Sequence, residues 1–233
     1  MSAYPWSAQL QDGRSLHVAE ATGADLEAIA QAHPLPRDLT APEAPLRAYY
    51  RLKAWLYMTS RPSGIVVGRV DGVLAGFVCY CGDTAELSRL TRSPRAVLRG
   101  LGWLLTGRMG GPRLWIAFAR WARQHFRTAA EQERTPTEEA AGRGPLPAAW
   151  IDTVETVPAF RRLGVADQLL EAATSSLRAQ GRGPIGSWVA EDNVASLALF
   201  EKQGFRRAER VQRLGECCWL MLAEPEALAG EWS

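Results

Sequence analysis

The chain has 233 residues, of which 47% are hydrophobic and 22% charged, and a chain of this kind buries a substantial globular core. Its 27 basic and 25 acidic residues leave a formal net charge of +2, so overall charge does not indicate nucleic acid as a partner. The N-terminus lacks a basic region followed by an apolar one, and no apolar run is long enough to span a bilayer, which predicts a cytoplasmic protein. We expect one domain over residues 10–224 and a tail at 225–233.

The first half of the chain indicates two helices and a hairpin. A short strand is expected at Leu16–Glu20, and Thr22 with Asp25 suits the start of the first helix. A second helix, from Leu46 to about Thr59, carries a stripe of tyrosines: Tyr49, Tyr50 and Tyr57. Two β-rich runs, Ile65–Val70 and Val73–Cys81, are joined by Asp–Gly, which predicts a hairpin with a type I′ turn.

The four cysteines and three histidines do not form a recognisable site. The cysteines lie in two close pairs whose spacing matches neither a zinc motif nor a disulfide framework, so we interpret them as buried thiols. The histidines are scattered, and we expect structural roles for them. No cluster of metal ligands is predicted.

An insertion at about residues 86–147 interrupts the chain after the hairpin. Between Ser88 and Arg127 it holds nine arginines and no acidic residue, and its leucines and aromatic residues recur at helical spacing. We favour a helical hairpin packed on the domain with its arginines in solvent. A surface for an acidic or phosphorylated partner is the main alternative, and membrane-surface binding stays open. Nucleic-acid binding is less favoured, because the arginines are mixed evenly with apolar residues.

The most informative stretch follows this insertion. Trp150–Val157 has a strand pattern that Pro158 ends, and leucines and alanines then recur at helical spacing from about Arg161 to Gly181. A strand therefore leads directly into a helix N-terminus, where free N–H groups and the helix dipole favour an anion. Small residues at 164 and 166 allow close approach to the backbone, and two arginines add donors suited to a pyrophosphate.

A second strand and helix come next. Ile185–Glu191 is expected to be a strand, and Asn193 is a good N-cap for a short helix that ends at Gly204. These two strand–helix units, with a phosphate turn on the first, resemble the GNAT superfamily of acyl-CoA-dependent N-acyltransferases. The resemblance implies an α/β (α+β) fold: a mixed, mostly antiparallel sheet of about seven strands, splayed at its centre, with helices on both faces.

The resemblance also implies a binding site for acetyl-CoA or another acyl-CoA. Backbone groups of Val154, Thr156 and Val157 would pair with the pantetheine arm, and Asn193 would help to seat it. The pyrophosphate would lie on the amides of Arg161, Arg162, Leu163, Gly164, Val165 and Ala166. Phe200 stands where the family often has a tyrosine that protonates the leaving thiolate, so that acid does not carry over. The tyrosine stripe would border the acceptor site, although we favour core positions for it.

Two carboxylates are candidates for the catalytic base. Strict alternation along the strand puts Asp152 on the face of Trp150 and Val154, and Glu155 on the opposite face, with Ile151. The parity of Asp152 matches the family's bases, so it is favoured. Glu155 is the reserve, because a β-bulge would reset the alternation.

The sequence thus predicts an N-acyltransferase that moves an acetyl or longer acyl group directly to an amine of a small molecule or peptide. An acidic acyl carrier protein is a further candidate partner, and a homodimer is compatible with the fold. The alternative is a catalytically inactive acyl-CoA-binding module that uses the basic insertion for association.

Overall fold

A computed structural model describes residues 5–34, 43–59, 63–83, 102, 116, 147–213 and 216–224. Nearly all of the predicted insertion at 86–147, with its candidate partner surfaces, and the tail at 225–233 lie outside the described residues. The strands are β1 Trp6–Gln9, β2 Ser15–Glu20, β3 Gly64–Val70, β4 Val73–Cys81, β5 Ala149–Thr156, β6 Ile185–Ala190, β7 Arg206–Arg213 and β8 Glu216–Ala223. The helices are α1 Leu26–Ala32, α2 Glu43–Thr59, α3 Val165–Ala179 and α4 Val194–Lys202.

The eight described strands form one mixed sheet in the order β1-β2-β3-β4-β5-β6-β8-β7. The pairs are antiparallel except β5 with β6, so the predicted mostly antiparallel sheet is confirmed. One strand, β1, was not predicted. It is four residues long and lies at the sheet edge, paired only with β2, so its sequence carries little periodic signal.

Helices cover both faces of this sheet, as predicted. Val66 and Val78 belong to a core cluster that includes Leu169 and Leu170 of α3. The alternate strand residues, such as Val67 and Phe77, belong to a second cluster that includes residues of α1 and α2. We call these the α3 face and the α2 face.

Local turn chemistry fixes several boundaries. Asp71 and Gly72 both have positive φ, at 52° and 78°, so the predicted type I′ hairpin is confirmed. Thr22 donates from its N–H and its hydroxyl to Asp25 at 2.8 and 2.9 Å, which forms the predicted helix start, although a 3-10 turn at Gly23–Asp25 precedes α1.

The prediction that the long helix begins near Arg161 was wrong, because α3 begins at Val165. A 3-10 turn at Pro158–Phe160 follows β5, and the chain then takes positive φ at Arg162 and Gly164. Residues in the left-handed region cannot continue a right-handed helix, so the chain forms a loop before it winds up.

The outer edge strand β7 is covered by charge. Three of its arginines form ion pairs with glutamates on neighbouring segments, with nitrogen–oxygen distances of 2.6–2.7 Å. The pairs are Arg206–Glu224, Arg207–Glu201 and Arg210–Glu191. Both members of each pair are well exposed, so these contacts stabilise the fold only slightly.

The packing of α3 against Gly76 of β4 leaves no room for a larger side chain at that position. A Cβ there would lie 2.6 Å from the backbone oxygen of Glu155 and 3.1 Å from a methyl group of Leu169. Gly76→Ala should therefore lower the free energy of unfolding by about 1–3 kcal/mol, measured by chemical denaturation. Gly23→Ala is the matched control, since nothing lies within 4 Å of its added Cβ. Equal stability of the two variants would contradict this packing limit.

Candidate active site

The site begins where β5 and β6 separate. The two strands pair in parallel only at Ala149 with Ile185 and at Trp150 with Gly186. Beyond that point β5 continues to pair with β4 as far as Thr156, and β6 continues to pair with β8 as far as Ala190. Both strands therefore run on with a gap between them, and we call this gap the groove. It opens towards the C-terminal ends of β5 and β6.

Backbone groups of β5 face the groove at alternate residues. Val157 donates its N–H to the carbonyl of Ala75 on β4 at 2.9 Å, and Thr156 lies opposite Gly76. In an antiparallel pair, hydrogen-bonded residues alternate with residues whose N–H and C=O point away from the partner strand. Val154 and Thr156 are residues whose N–H and C=O point away from β4, so these backbone groups point into the groove. The N–H of Val157 is used within the sheet.

Residues 161–166, at which the sequence predicts the pyrophosphate and which we therefore call the phosphate loop, lead from the end of the groove into the first turn of α3. Gly164 is the N-cap of α3, with φ +89°, and no side chain caps the helix there. The first hydrogen bond of the helix runs from the N–H of Gln168 to the carbonyl of Gly164 at 3.2 Å. The N–H groups of residues 164–167 are thus the donors that a helix start leaves without a partner inside the helix, and nothing lies within 4 Å of where a Cβ of Gly164 would be. The N–H of Arg161 is already used, since it donates to the carbonyl of Pro158 at 3.3 Å. This end of α3 is open to an anion.

A β-bulge at Asp152 changes which residues share a face. Ile151 lies opposite Tyr80 and Thr153 lies opposite Cys79, so Asp152 has no partner on β4. The predicted separation of the two carboxylates was therefore wrong. Glu155 lies opposite Phe77, on the α2 face, and Asp152 also reaches α2, whereas Val154 packs against the α3 face.

Asp152 is tied to helix α2. Its carboxylate lies 2.6 Å from the ammonium of Lys53 and accepts from the hydroxyl of Thr153 at 3.0 Å, and the hydroxyl of Tyr57 also lowers its pKa. Desolvation would raise the pKa of Asp152, but the charge and hydrogen bond of Lys53 outweigh it and hold that pKa below 3.8. The same carboxylate raises the pKa of Lys53 to about 12 against the desolvation that would lower it. Asp152 is thus a persistent anion and a weak base.

Glu155 has the opposite character. Desolvation raises the pKa of its side chain, which is only 16% exposed, and Arg161 offsets this rise only in part. The guanidinium of Arg161 lies 3.4 Å from that carboxylate and donates from Nε to the carbonyl of Thr156 at 3.3 Å. Of the two carboxylates, Glu155 is the one whose pKa has moved towards neutral pH.

A sequence model of the Acetyltransferase (GNAT) family matches residues 27–205. The chain belongs to the GNAT acetyltransferase family. No curated protein matches the chain in sequence.

Solved structures share the GNAT fold at low sequence identity. The protein yncA from Salmonella typhimurium, solved with its cofactor acetyl-CoA, is 14% identical with a TM-score of 0.50, over 94% of this chain and 98% of that one. An N-acetyltransferase from Staphylococcus aureus Mu50 is 16% identical with a TM-score of 0.52, over 88% of this chain and 99% of that one. These likenesses agree with the predicted fold.

Two other predicted cofactor contacts have defined places in this GNAT domain. Asn193 is the N-cap of α4, and its side-chain oxygen accepts from the N–H of Ser196 at 3.2 Å. Phe200 is 3% exposed and packs edge-on against Phe205, with ring centroids 4.9 Å apart. The structure therefore places Asn193 at the surface of the α4 start and Phe200 in the core, and their roles towards a cofactor stay predictions.

The tyrosine stripe of α2 divides between core and surface. Tyr57 is buried at 4% exposure and belongs to the α2-face core, whereas Tyr49 is 39% exposed. Tyr50 stacks on His33 with ring centroids 4.2 Å apart. His33 is itself buried, which lowers its pKa to about 4, and among the described residues its Nε2 has no hydrogen-bond partner.

Sequence reasoning missed Lys53. Lys53 and Tyr57 are four residues apart on α2, so they share a helix face, and this spacing was the available signal. Nothing in the sequence paired that face with the bulge of β5.

Among the described residues no group of acidic, histidine and cysteine side chains could hold a metal ion. Within the same ranges, no helix has the length and apolar character needed to cross a bilayer.

The ion pair between Lys53 and Asp152 predicts a pH-dependent coupling. Because the pKa of Asp152 in the folded protein is below 3.8, its ionised carboxylate stabilises the fold above that pH. This contribution is lost as the pH falls through the pKa of the folded state. Because the pKa of Lys53 in the folded protein is raised from 10.5 to about 12, its ammonium group stabilises the fold below pH 10.5. This contribution is lost as the pH rises through about 12. A double-mutant cycle with Lys53→Met and Asp152→Asn should therefore give a coupling free energy of about 1 kcal/mol near pH 7. This coupling should decrease below about pH 4 and above about pH 10.

The control for this cycle is the pair of Lys202 and Asp167. These groups are 3.0 Å apart, and Lys202 is 67% exposed. The coupling free energy of this pair, measured like that of Lys53 and Asp152 by chemical denaturation, should be smaller at every pH. A coupling at Lys53 that does not change with pH would show that the two charges do not interact in the folded protein.

Proposed function

We propose that this GNAT protein transfers an acetyl or longer acyl group from acyl-CoA to an amine of a small molecule or peptide by direct attack. The observation that carries the proposal is the alignment of the groove with the phosphate loop. An extended thioester could pair with the strand backbone and end with its phosphates at a helix N-terminus. The family match over residues 27–205 supports the same reading.

The donor would bind through backbone groups at both ends. The outward-facing N–H and C=O groups of Val154 and Thr156 would pair with the amides of pantetheine, as another strand would. The open amides at Gly164, Val165 and Ala166 would receive the pyrophosphate, with Arg161 and Arg162 as charged donors. Arg161 would have to leave the carbonyl of Thr156 to let the arm pair there.

The acceptor would approach from the α2 face, where both carboxylates lie. Attack on the thioester needs a neutral amine, so a group must accept the proton of the ammonium form. The raised pKa of Glu155 suits that role. Asp152, held as an anion by Lys53, would attract and orient the ammonium group. We therefore assign the base to Glu155 and an orienting role to Asp152.

Substitution of the two carboxylates tests this assignment. In a screen of thiol release from acetyl-CoA against a panel of amines, Glu155→Gln should lower kcat/KM roughly a hundredfold or more, and Asp152→Asn should lower it less. In a plot of kcat/KM against pH, the acid limb of the unaltered protein should lie at a higher pH than that of a glutamate with pKa 4.5, because burial raises the pKa of Glu155. That limb should disappear in Glu155→Gln.

A larger loss in Asp152→Asn than in Glu155→Gln would move the base to Asp152. Retention of CoA with no thiol release for any amine would instead favour the inactive binding module. Glu224→Gln is a matched control for the change of charge, since Glu224 is paired with Arg206 at the outer edge of the sheet. Its activity should equal that of the unaltered protein.

The helix start provides a second test. Gly164 and Gly181 flank α3, both have positive φ, at 89° and 67°, and neither has an atom within 4 Å of an added Cβ. Alanine at either position should therefore cost a similar backbone strain of roughly 1–2 kcal/mol. Only Gly164→Ala should also weaken CoA binding, by roughly tenfold, since its methyl group would occupy space beside the pyrophosphate. Calorimetric titration with CoA measures the difference, and equal affinities in the two variants would exclude a phosphate site there.

A further inference from the structure

The turn between β1 and β2, residues 10–14, lies against the back of the phosphate loop. Gln11 donates its backbone N–H to the carbonyl of Leu163 at 3.3 Å. The guanidinium of Arg14 stands over the ring of Phe160, 5.2 Å from its centroid. The turn thus contacts Phe160, just before the loop, and Leu163 within it, on the two sides of the arginines at 161 and 162.

The contact at Leu163 sets the direction of the next amide. In a planar trans peptide the C=O of one residue and the N–H of the following residue point in opposite directions. Because the carbonyl of Leu163 points to the turn, the N–H of Gly164 points away from it. The first donor of the helix start is therefore directed to the side of the loop that is open to a ligand.

The turn is held together by hydrogen bonds of its own. The carboxylate of Asp12 accepts from the Nε of Arg14 at 2.7 Å and from its backbone N–H at 3.1 Å. The N–H of Leu10 donates to the carbonyl of Arg14 at 2.8 Å, and the side chain of Leu10 is buried in the α3-face core. Both ends of the turn are thus fixed before a ligand binds.

The loop is anchored to the same core. The side chains of Phe160 and Leu163 pack against the α3-face cluster and are partly buried. Their positions leave the loop backbone between a packed side and an open side. Rotation of the peptide between Leu163 and Gly164 would break the hydrogen bond from Gln11, and the cation above Phe160 would hold the preceding turn in place.

We infer that Gln11 and Arg14 are positioning residues for the nucleotide end of acyl-CoA. They act through Leu163 and Phe160 and set the direction of the Gly164 amide before the pyrophosphate arrives. Preorganised donors lose less entropy on binding, so the turn raises affinity for the diphosphate without touching it. The inference rests on the proposed acyl-CoA site and adds a part of the chain that lies outside the predicted motif.

Substitution of Gln11 gives a matched pair for the test. Gln11→Pro removes the backbone N–H, while Gln11→Ala keeps it and removes only the side chain. CoA affinity is measured by calorimetry with the full chain, and pantetheine, which lacks the nucleotide diphosphate, is measured in parallel. We expect Gln11→Pro to weaken CoA binding roughly tenfold, Gln11→Ala to leave it unchanged, and pantetheine binding to stay the same in both.

Arg14→Leu is the second variant, and it keeps the test decisive if proline disrupts the turn. It removes the cation over Phe160 and the pair with Asp12, and it should weaken CoA binding several-fold with pantetheine binding unchanged. Unchanged CoA affinity in Arg14→Leu and in a folded Gln11→Pro would overturn the inference, as would an equal loss for CoA and pantetheine. Failure of the proposed function would look different, because the unaltered protein itself would then not bind CoA.

Discussion

The parting of β5 and β6 after two paired residues is the constraint on which the rest of this structure depends. Two strands that separate inside a sheet leave N–H and C=O groups without a partner strand, and such groups need hydrogen bonds from elsewhere. In the proposed function, an extended ligand would supply these hydrogen bonds by pairing in the gap. The stacked rings of Trp150 and Trp188, 5.6 Å apart, cover the point of separation on the α2 face.

The two faces of the sheet around the gap differ in character. The α3 face supplies packing, and its core holds the phosphate loop through Phe160 and Leu163. The α2 face supplies charge, because the bulge at Asp152 places Glu155 on the same face as Asp152. One irregular residue in β5 therefore decides that Asp152 and Glu155 lie on the same side, although strict alternation would have separated them.

Features encoded by neighbouring residues could be predicted from the sequence, and features that depend on distant partners could not. The hairpin at Asp71–Gly72 and the helix end at Gly181 follow from the few residues that adopt positive φ, so local chemistry was sufficient. The bulge depends on how β5 is paired with β4, which is far away in the chain. The pair of Lys53 with Asp152 joins a helix and a strand that only the folded sheet brings together. The same holds for the contact of Gln11 with Leu163.

The paired charges on β7 also restrict how two copies of this protein could meet. An exposed edge strand is a template to which another strand can add, and charged side chains are a common protection against this. A second copy that extended the sheet at β7 would have to strip water from Arg206, Arg207 and Arg210 and from the glutamates that hold them. Any homodimer of this domain would accordingly avoid continuous sheet formation across that edge and would use a different surface.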